Sequence, residues 1–240
     1  MTSLAPLTPV TTVDAAASAL RHAIATGVYP PGTRIKEIPV AADLGLSRGP
    51  VREALRLLAE EGLVRITTNQ GATVSEVRAD DLMELYAHRL ALGSLAIRRI
   101  LGEGRDLADA RDHLASLRQA VRQRRAAAAV EADLRVQDAL VRASGLPRTA
   151  QIFERTTVTL RVYVGVLGLD FRPLLPAMYD EDARLLDAIE AREQGTALEA
   201  WRAKLEGWAR TFVHHHGDAF DADPWLAIYG ESSSHDVKKR

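Results

Sequence analysis

Asp43-Leu44-Gly45-Leu46-Ser47-Arg48-Gly49-Pro50-Val51-Arg52-Glu53-Ala54-Leu55-Arg56 reads as the turn and second helix of a helix-turn-helix. Ser47 stands where a hydroxyl caps a helix, and Pro50 is tolerated because it falls in the first turn. Val51, Leu55 and Leu58 recur at helical spacing and form a core face. Arg48, Arg52 and Arg56 recur every four residues on another face, so one side of one helix presents three guanidiniums. That planar, permanently charged group suits phosphate and the guanine edge, so the stretch points to DNA. Arg56 has Glu53 and Glu60 within helical reach and is read as a surface ion pair instead.

Working outward, residues 1–12 mix Thr, Pro and Ser without periodicity and are expected to form a loose, disordered arm. Val13, Ala16, Ala17, Leu20 and Ile24 give an amphipathic helix ending at Gly27, followed by a turn through Pro30-Pro31-Gly32. Arg34 to Lys36 is an extended or helix-entering segment, and Ile38 to Leu44 a short helix closed by Gly45. Beyond Gly62, Leu63–Thr67 and Ala72–Val77 read as strands flanking the turn Asn69-Gln70-Gly71. Three helices and a hairpin make a winged helix-turn-helix over residues 13–77. That unit holds seven Lys and Arg against seven Asp and Glu. Affinity for nucleic acid must therefore come from local clustering, and a second copy is expected to complete a tight site.

After Val77 the strand signals vanish. Helical spacing runs through 80–101, 107–125, 126–144, 149–168, 173–193 and 196–215, punctuated by glycine and proline. The fold class is mainly α: the winged unit, then an all-α bundle of about six helices over 78–222, then a polar tail over 223–240. With 240 residues, 47% of them hydrophobic, the chain can bury two cores. It has no cysteine, which excludes disulfides, thiolate metal sites and a cysteine nucleophile. No signal pattern and no membrane-length apolar run occur, so a soluble cytoplasmic protein with no membrane partner is expected.

Within the helical part, charged and amide side chains interrupt apolar stripes. Arg89 falls among Leu82, Leu85, Leu92 and Ala96. Asp133 and Gln137 share the face of Val130, Leu134 and Leu140; Asp182 precedes Leu185, Leu186 and Ile189; Lys204 lies between Trp201 and Trp208. Such groups are costly on a core face unless paired, so these five are expected to converge or to line a cavity. Asp133 and Asp182 balance Arg89 and Lys204, making that set neutral. His214-His215-His216 points in three directions on a helix and suits a solvated helix end; His88 and His113 suit the surface. No phosphate-cradling glycine loop or nucleophile elbow is present, and the paired carboxylates are matched by cations, so no enzymatic activity is expected.

Residues 13–77 resemble the winged helix-turn-helix of the GntR family of bacterial transcription regulators. The likeness lies in Leu20, Ile24, Gly27, Pro31-Gly32, the run Leu44 to Leu55, Glu61-Gly62-Leu63-Val64 and Gly71. The helical remainder resembles the FadR-type effector domain, FCD, through Arg89, Ala143-Ser144-Gly145 and Asp187-Ala188-Ile189-Glu190. The resemblance implies a homodimeric regulator, most often a repressor, on a palindromic double-stranded operator, with a small molecule in the helical domain altering DNA affinity. It places DNA contacts at Arg34, Ser47, Arg48, Gly49, Arg52 and Gly71. Ile38 and Gln70 stand where many members carry arginine.

The resemblance also implies a divalent metal held by one Asp and three His. Asp133 matches the Asp; Gln137, Asp182 and Lys204 replace the histidines. Glutamine is a poor ligand and an ammonium repels a cation, so the metal is expected to be lost, with Lys204 in its place and no cofactor. Arg89, Asp133, Gln137, Asp182 and Lys204 then form a metal-independent effector pocket for an anionic or polar metabolite. Alternatively, they are a structural ion-pair cluster in a helical domain that serves only dimerisation or protein interaction.

Overall fold

The computed structural model describes residues 12–67, 71–168 and 170–216, and the chain divides into two compact units. Residues 1–11 of the expected arm, the wing residue Gln70 and the polar tail lie outside the described residues, as do the side chains of His214-His215-His216, and Thr12, expected in the arm, is helical.

In the first unit, α1 (Thr12–Ala25) buries Ala16, Ala17, Leu20 and Ile24 against α3 (Arg48–Glu60), which buries Val51, Ala54, Leu55 and Leu58. Between them α2 (Glu37–Asp43) contributes Val40 and Ala41. The Arg21 guanidinium donates to both oxygens of Glu61, tying α1 to the end of α3. At that end Gly62 adopts φ 75°, and the Leu63 amide reaches back to the Leu58 carbonyl at 2.9 Å. This left-handed stop is why a glycine follows the helix.

β2 (Val64–Thr67) and β3 (Gly71–Val74) pair antiparallel as expected. Of the two alternatives for Arg34 to Lys36, the extended one is observed, as a third strand of this sheet. β1 (Arg34–Ile35) pairs with β3, Ile35 opposite Ala72, giving the order β1-β3-β2. Two residues carry no readable period; Ile35 enters the sheet because the core takes its fully buried side chain. Residues 158–168 also group with this unit, and a Cβ on Gly165 would meet the Ala25 carbonyl oxygen at 2.6 Å.

The second unit is built from α4 (Ala79–Glu103), α5 (Ala108–Arg122), α6 (Ala126–Ala143), the first half of α7 (Pro147–Leu167), α8 (Leu175–Glu190) and α9 (Gln194–His216), with a short 3-10 turn at Arg172–Leu174. α5 lies along α6, and α4 along α9, which also packs on α8. Trp201 is fully buried at the centre, tilted against Phe153 at 6.1 Å between ring centroids. α4 closes on Gly104 in the left-handed region (φ 64°). No helix among the described residues is long and apolar enough to cross a membrane.

Candidate functional site

α2, α3 and the sheet enclose a concave groove of about 850 Å³. Arg34, Arg48, Arg52 and Gly71, four of the expected DNA-contacting residues, line it; Ser47 and Gly49 are exposed at the start of α3 beside it. Five cations (Arg34, Lys36, Arg48, Arg52, Arg56) meet a single acid, Glu37, so the groove carries about four positive charges although its domain is balanced. Glu37 accepts from Arg52 Nε and Nη2, both at 2.9 Å, and from Arg48 Nη2 at 3.3 Å. The arginine hydrogen bonds hold its carboxyl below the usual glutamate range. Arg56 pairs with Glu53 at 2.6 Å, as expected from their spacing.

Two roles change. Ser47 occupies the N-cap with extended backbone (φ −77°, ψ 164°), but its hydroxyl makes no capping bond. The usual donors to such a hydroxyl oxygen are the second and third amides of the helix, and the third residue is Pro50, which has no N–H. Gly71 has a backbone reason to be glycine: φ is 89°, and a Cβ would press on the Ile35 carbonyl oxygen at 3.1 Å.

In the second unit Arg89, Gln137, Asp133, Lys204 and Asp182 meet in one buried chain. Arg89 Nη2 donates to Gln137 Oε1 at 2.7 Å, and Gln137 Nε2 donates to Asp133 Oδ2 at 2.8 Å. Lys204 Nζ donates to Asp133 Oδ1 at 2.5 Å and stands 2.9 Å from Asp182 Oδ1. Arg89 Nη1 donates to Thr156 and Thr157, and its guanidinium lies 4.1 Å over the Phe153 ring. Burial works against the Lys204 ammonium, but Asp133 and Asp182 outweigh it and raise its pKa. Burial, with the charge of Asp133, drives the Asp182 carboxyl well above the usual range. Neither Asp182 oxygen receives a well-directed hydrogen bond among the described residues, although the Lys204 ammonium is 2.9 Å from Oδ1.

Sequence reasoning missed two partners here and one in the groove. Asp138 is buried and accepts from Thr157 Oγ1 at 2.6 Å, extending the chain beyond Arg89. Glu181 faces Lys204 at 3.9 Å, and burial raises its pKa. The two-against-two balance is therefore incomplete. With Asp138 and Glu181 counted, Arg89 and Lys204 meet four carboxyl groups. The third omission is Glu37 in the groove, eleven and fifteen residues from its arginines, a separation that carries no periodic signal.

The family described as bacterial regulatory proteins, gntR family, matches residues 12–74, and the FCD domain matches residues 84–207. The chain belongs to the GntR family of transcriptional regulators. It is a family of regulators and not of enzymes. A relative from Agrobacterium vitis, an uncharacterized HTH-type transcriptional regulator, is 43% identical over 88 residues, 37% of this chain and 52% of the relative. The gluconate operon transcriptional repressor of Bacillus subtilis is 37% identical over 82 residues, 34% of this chain and 33% of the repressor. These matches thus span about half or less of the relatives' own length. A GntR structure from Rhodococcus sp. RHA1 superposes with TM-score 0.72 at 23% identity, covering 88% of this chain and all of that one. Escherichia coli McbR/YncC superposes at 0.70 and 22%, covering 87% and 100%; both show the shared fold.

The divalent metal implied by the GntR and FCD resemblance does not fit these residues. Asp133 spends both oxygens on Lys204 and Gln137, and Gln137 Oε1 is occupied by Arg89. An ammonium at hydrogen-bonding distance from two carboxyls stands where a dication would need to be.

Proposed function

We propose that this GntR-family chain is a repressor that binds a palindromic double-stranded DNA operator as a homodimer, with α3 in the major groove. The observation that carries this reading is the concentration of five cations in the groove formed by α2, α3 and the sheet. Arg48 and Arg52 serve as base-edge readers, Arg34 and the exposed Ser47 as phosphate contacts, and Gly49 as an approach point without a side chain in the way. The helical domain is metal-independent. A polar or anionic metabolite enters the cleft of about 470 Å³ between α8 and α9, where Arg184 is exposed and the buried Lys204 forms part of the wall beside Glu181 and Glu199. Arg89, Asp133, Gln137 and Asp182, expected to line the pocket with Lys204, do not line this cleft.

A second reading is favoured by one observation: Arg89 and Lys204 already have protein acceptors. The helical domain would then serve dimerisation or protein interaction, with a structural ion-pair cluster. The discriminating experiment takes duplexes enriched by the full chain from a random-sequence pool and measures binding with a metabolite panel, with and without EDTA. A metabolite that shifts affinity equally in both conditions supports the first reading. A shift lost in EDTA sinks metal independence, and no shift by any metabolite favours the second.

A further inference from the structure

The acid in the middle of the cationic groove is placed with a particular geometry. Glu37 takes Arg52 by its side edge, Nε to Oε1 and Nη2 to Oε2, both at 2.9 Å. This uses two of the five guanidinium donors and leaves the end edge, Nη1 with the second Nη2 hydrogen. A bidentate contact to guanine O6 and N7 needs a fork of two such N–H groups. Arg48 is held more loosely, through Nη2 alone at 3.3 Å. Both arginines keep about half their side-chain surface exposed, while Glu37 is only 20% exposed.

The two arginines lie one turn apart on α3 and repel each other; a shared carboxylate offsets that repulsion. Glu37 itself sits in the first turn of α2, where the helix dipole supports its charge. We infer that Glu37 is a positioning residue for operator recognition. It clamps Arg52, and more weakly Arg48, so that their free edges are set in the groove before DNA arrives. The inference rests on the reading of Arg48 and Arg52 as DNA contacts. Ordering these long side chains in advance removes an entropic cost that binding would otherwise carry. A carboxylate acting as a competitor would instead cover the end edge that the base requires, and this one leaves it open.

The test uses the full chain, a duplex enriched by it from a random-sequence pool, and a scrambled duplex of equal length, with anisotropy titrations at several salt concentrations. Glu37→Gln keeps the shape but removes the charge and one acceptor. Affinity for the enriched duplex is expected to fall about tenfold, while affinity for the scrambled duplex holds or rises, because each chain loses one negative charge. Glu37→Asp, which retains the carboxylate, recovers part of the discrimination. If both affinities rise together, Glu37 is a competitor; if neither moves, it is a bystander; if both fall alongside the melting temperature, its role is in folding. Each of these overturns the inference. Arg52→Ala separates the underlying reading: if it leaves discrimination intact, the assignment of Arg52 as a reader fails, whatever Glu37 does.

Discussion

The buried cluster around Lys204 separates two carboxyls that look alike in the sequence. Asp133 receives well-directed hydrogen bonds from Lys204 and Gln137; among the described residues Asp182 receives none, though the ammonium is 2.9 Å away. An asparagine side chain has nearly the shape and neutrality of a protonated Asp182, so Asp182→Asn should change stability at neutral pH by no more than about 1 kcal/mol. Lys204→Met leaves Asp133 as an uncompensated buried charge and should cost about 3–5 kcal/mol in urea unfolding. The pH dependence follows from the direction of the Asp182 shift. A carboxyl whose folded pKa is raised binds its proton more tightly in the native state, so its contribution is present below the unfolded value and is lost as pH rises through the folded one. Stability measured from acid toward neutral pH should decline more in the wild type than in Asp182→Asn. Parallel curves for the two proteins would mean that folding leaves the Asp182 pKa unshifted.

At the scale of elements, Gly93 interrupts α4 for a reason invisible in its own neighbourhood. A Cβ there would stand 2.3 Å from two carbons of the Trp201 ring, which is fully buried and donates from Nε1 to the Leu90 carbonyl at 3.3 Å. The ring is rigid and enclosed, so Gly93→Ala should destabilise the protein by about 1–3 kcal/mol despite the better helix propensity of alanine. A melting temperature above wild type would show that the α4–α9 contact has slack. This contrast marks what could be read from sequence. The helices were legible because each buries a periodic face: Val51, Leu55 and Leu58 on α3, or Leu185, Leu186 and Ile189 on α8. The five polar residues on apolar stripes were legible as a set, since burying a charge demands a partner. Gly93 against Trp201, β1 against β3, and Glu37 beneath Arg52 join residues far apart in the chain, and each is decided by tertiary approach. The missing Ser47 capping bond could have been anticipated, because Pro50 removes one of the two amides such a hydroxyl reaches.

For the whole molecule, net charge is a poor guide to DNA affinity. The chain carries −1, yet one groove gathers five cations against one acid, about +4. Counterion release ties the salt dependence of binding to the number of phosphates neutralised, with a slope of log affinity against log salt of about −0.9 for each. One engaged groove should therefore give a slope of at most about −4, and two grooves about −7. Salt dependence thus becomes a measure of how many copies grip the operator, independent of any contact map. Titrating the enriched duplex across salt should give the steeper value, with sedimentation reporting two chains per duplex. Arg34→Ala should flatten the slope by about one unit for each copy bound and weaken enriched and scrambled duplexes alike, because a phosphate contact carries no sequence information. Arg52→Ala should instead erase the difference between the two duplexes. A slope near −4 with one chain per duplex would refute the dimeric operator complex while leaving the groove as the DNA-binding face.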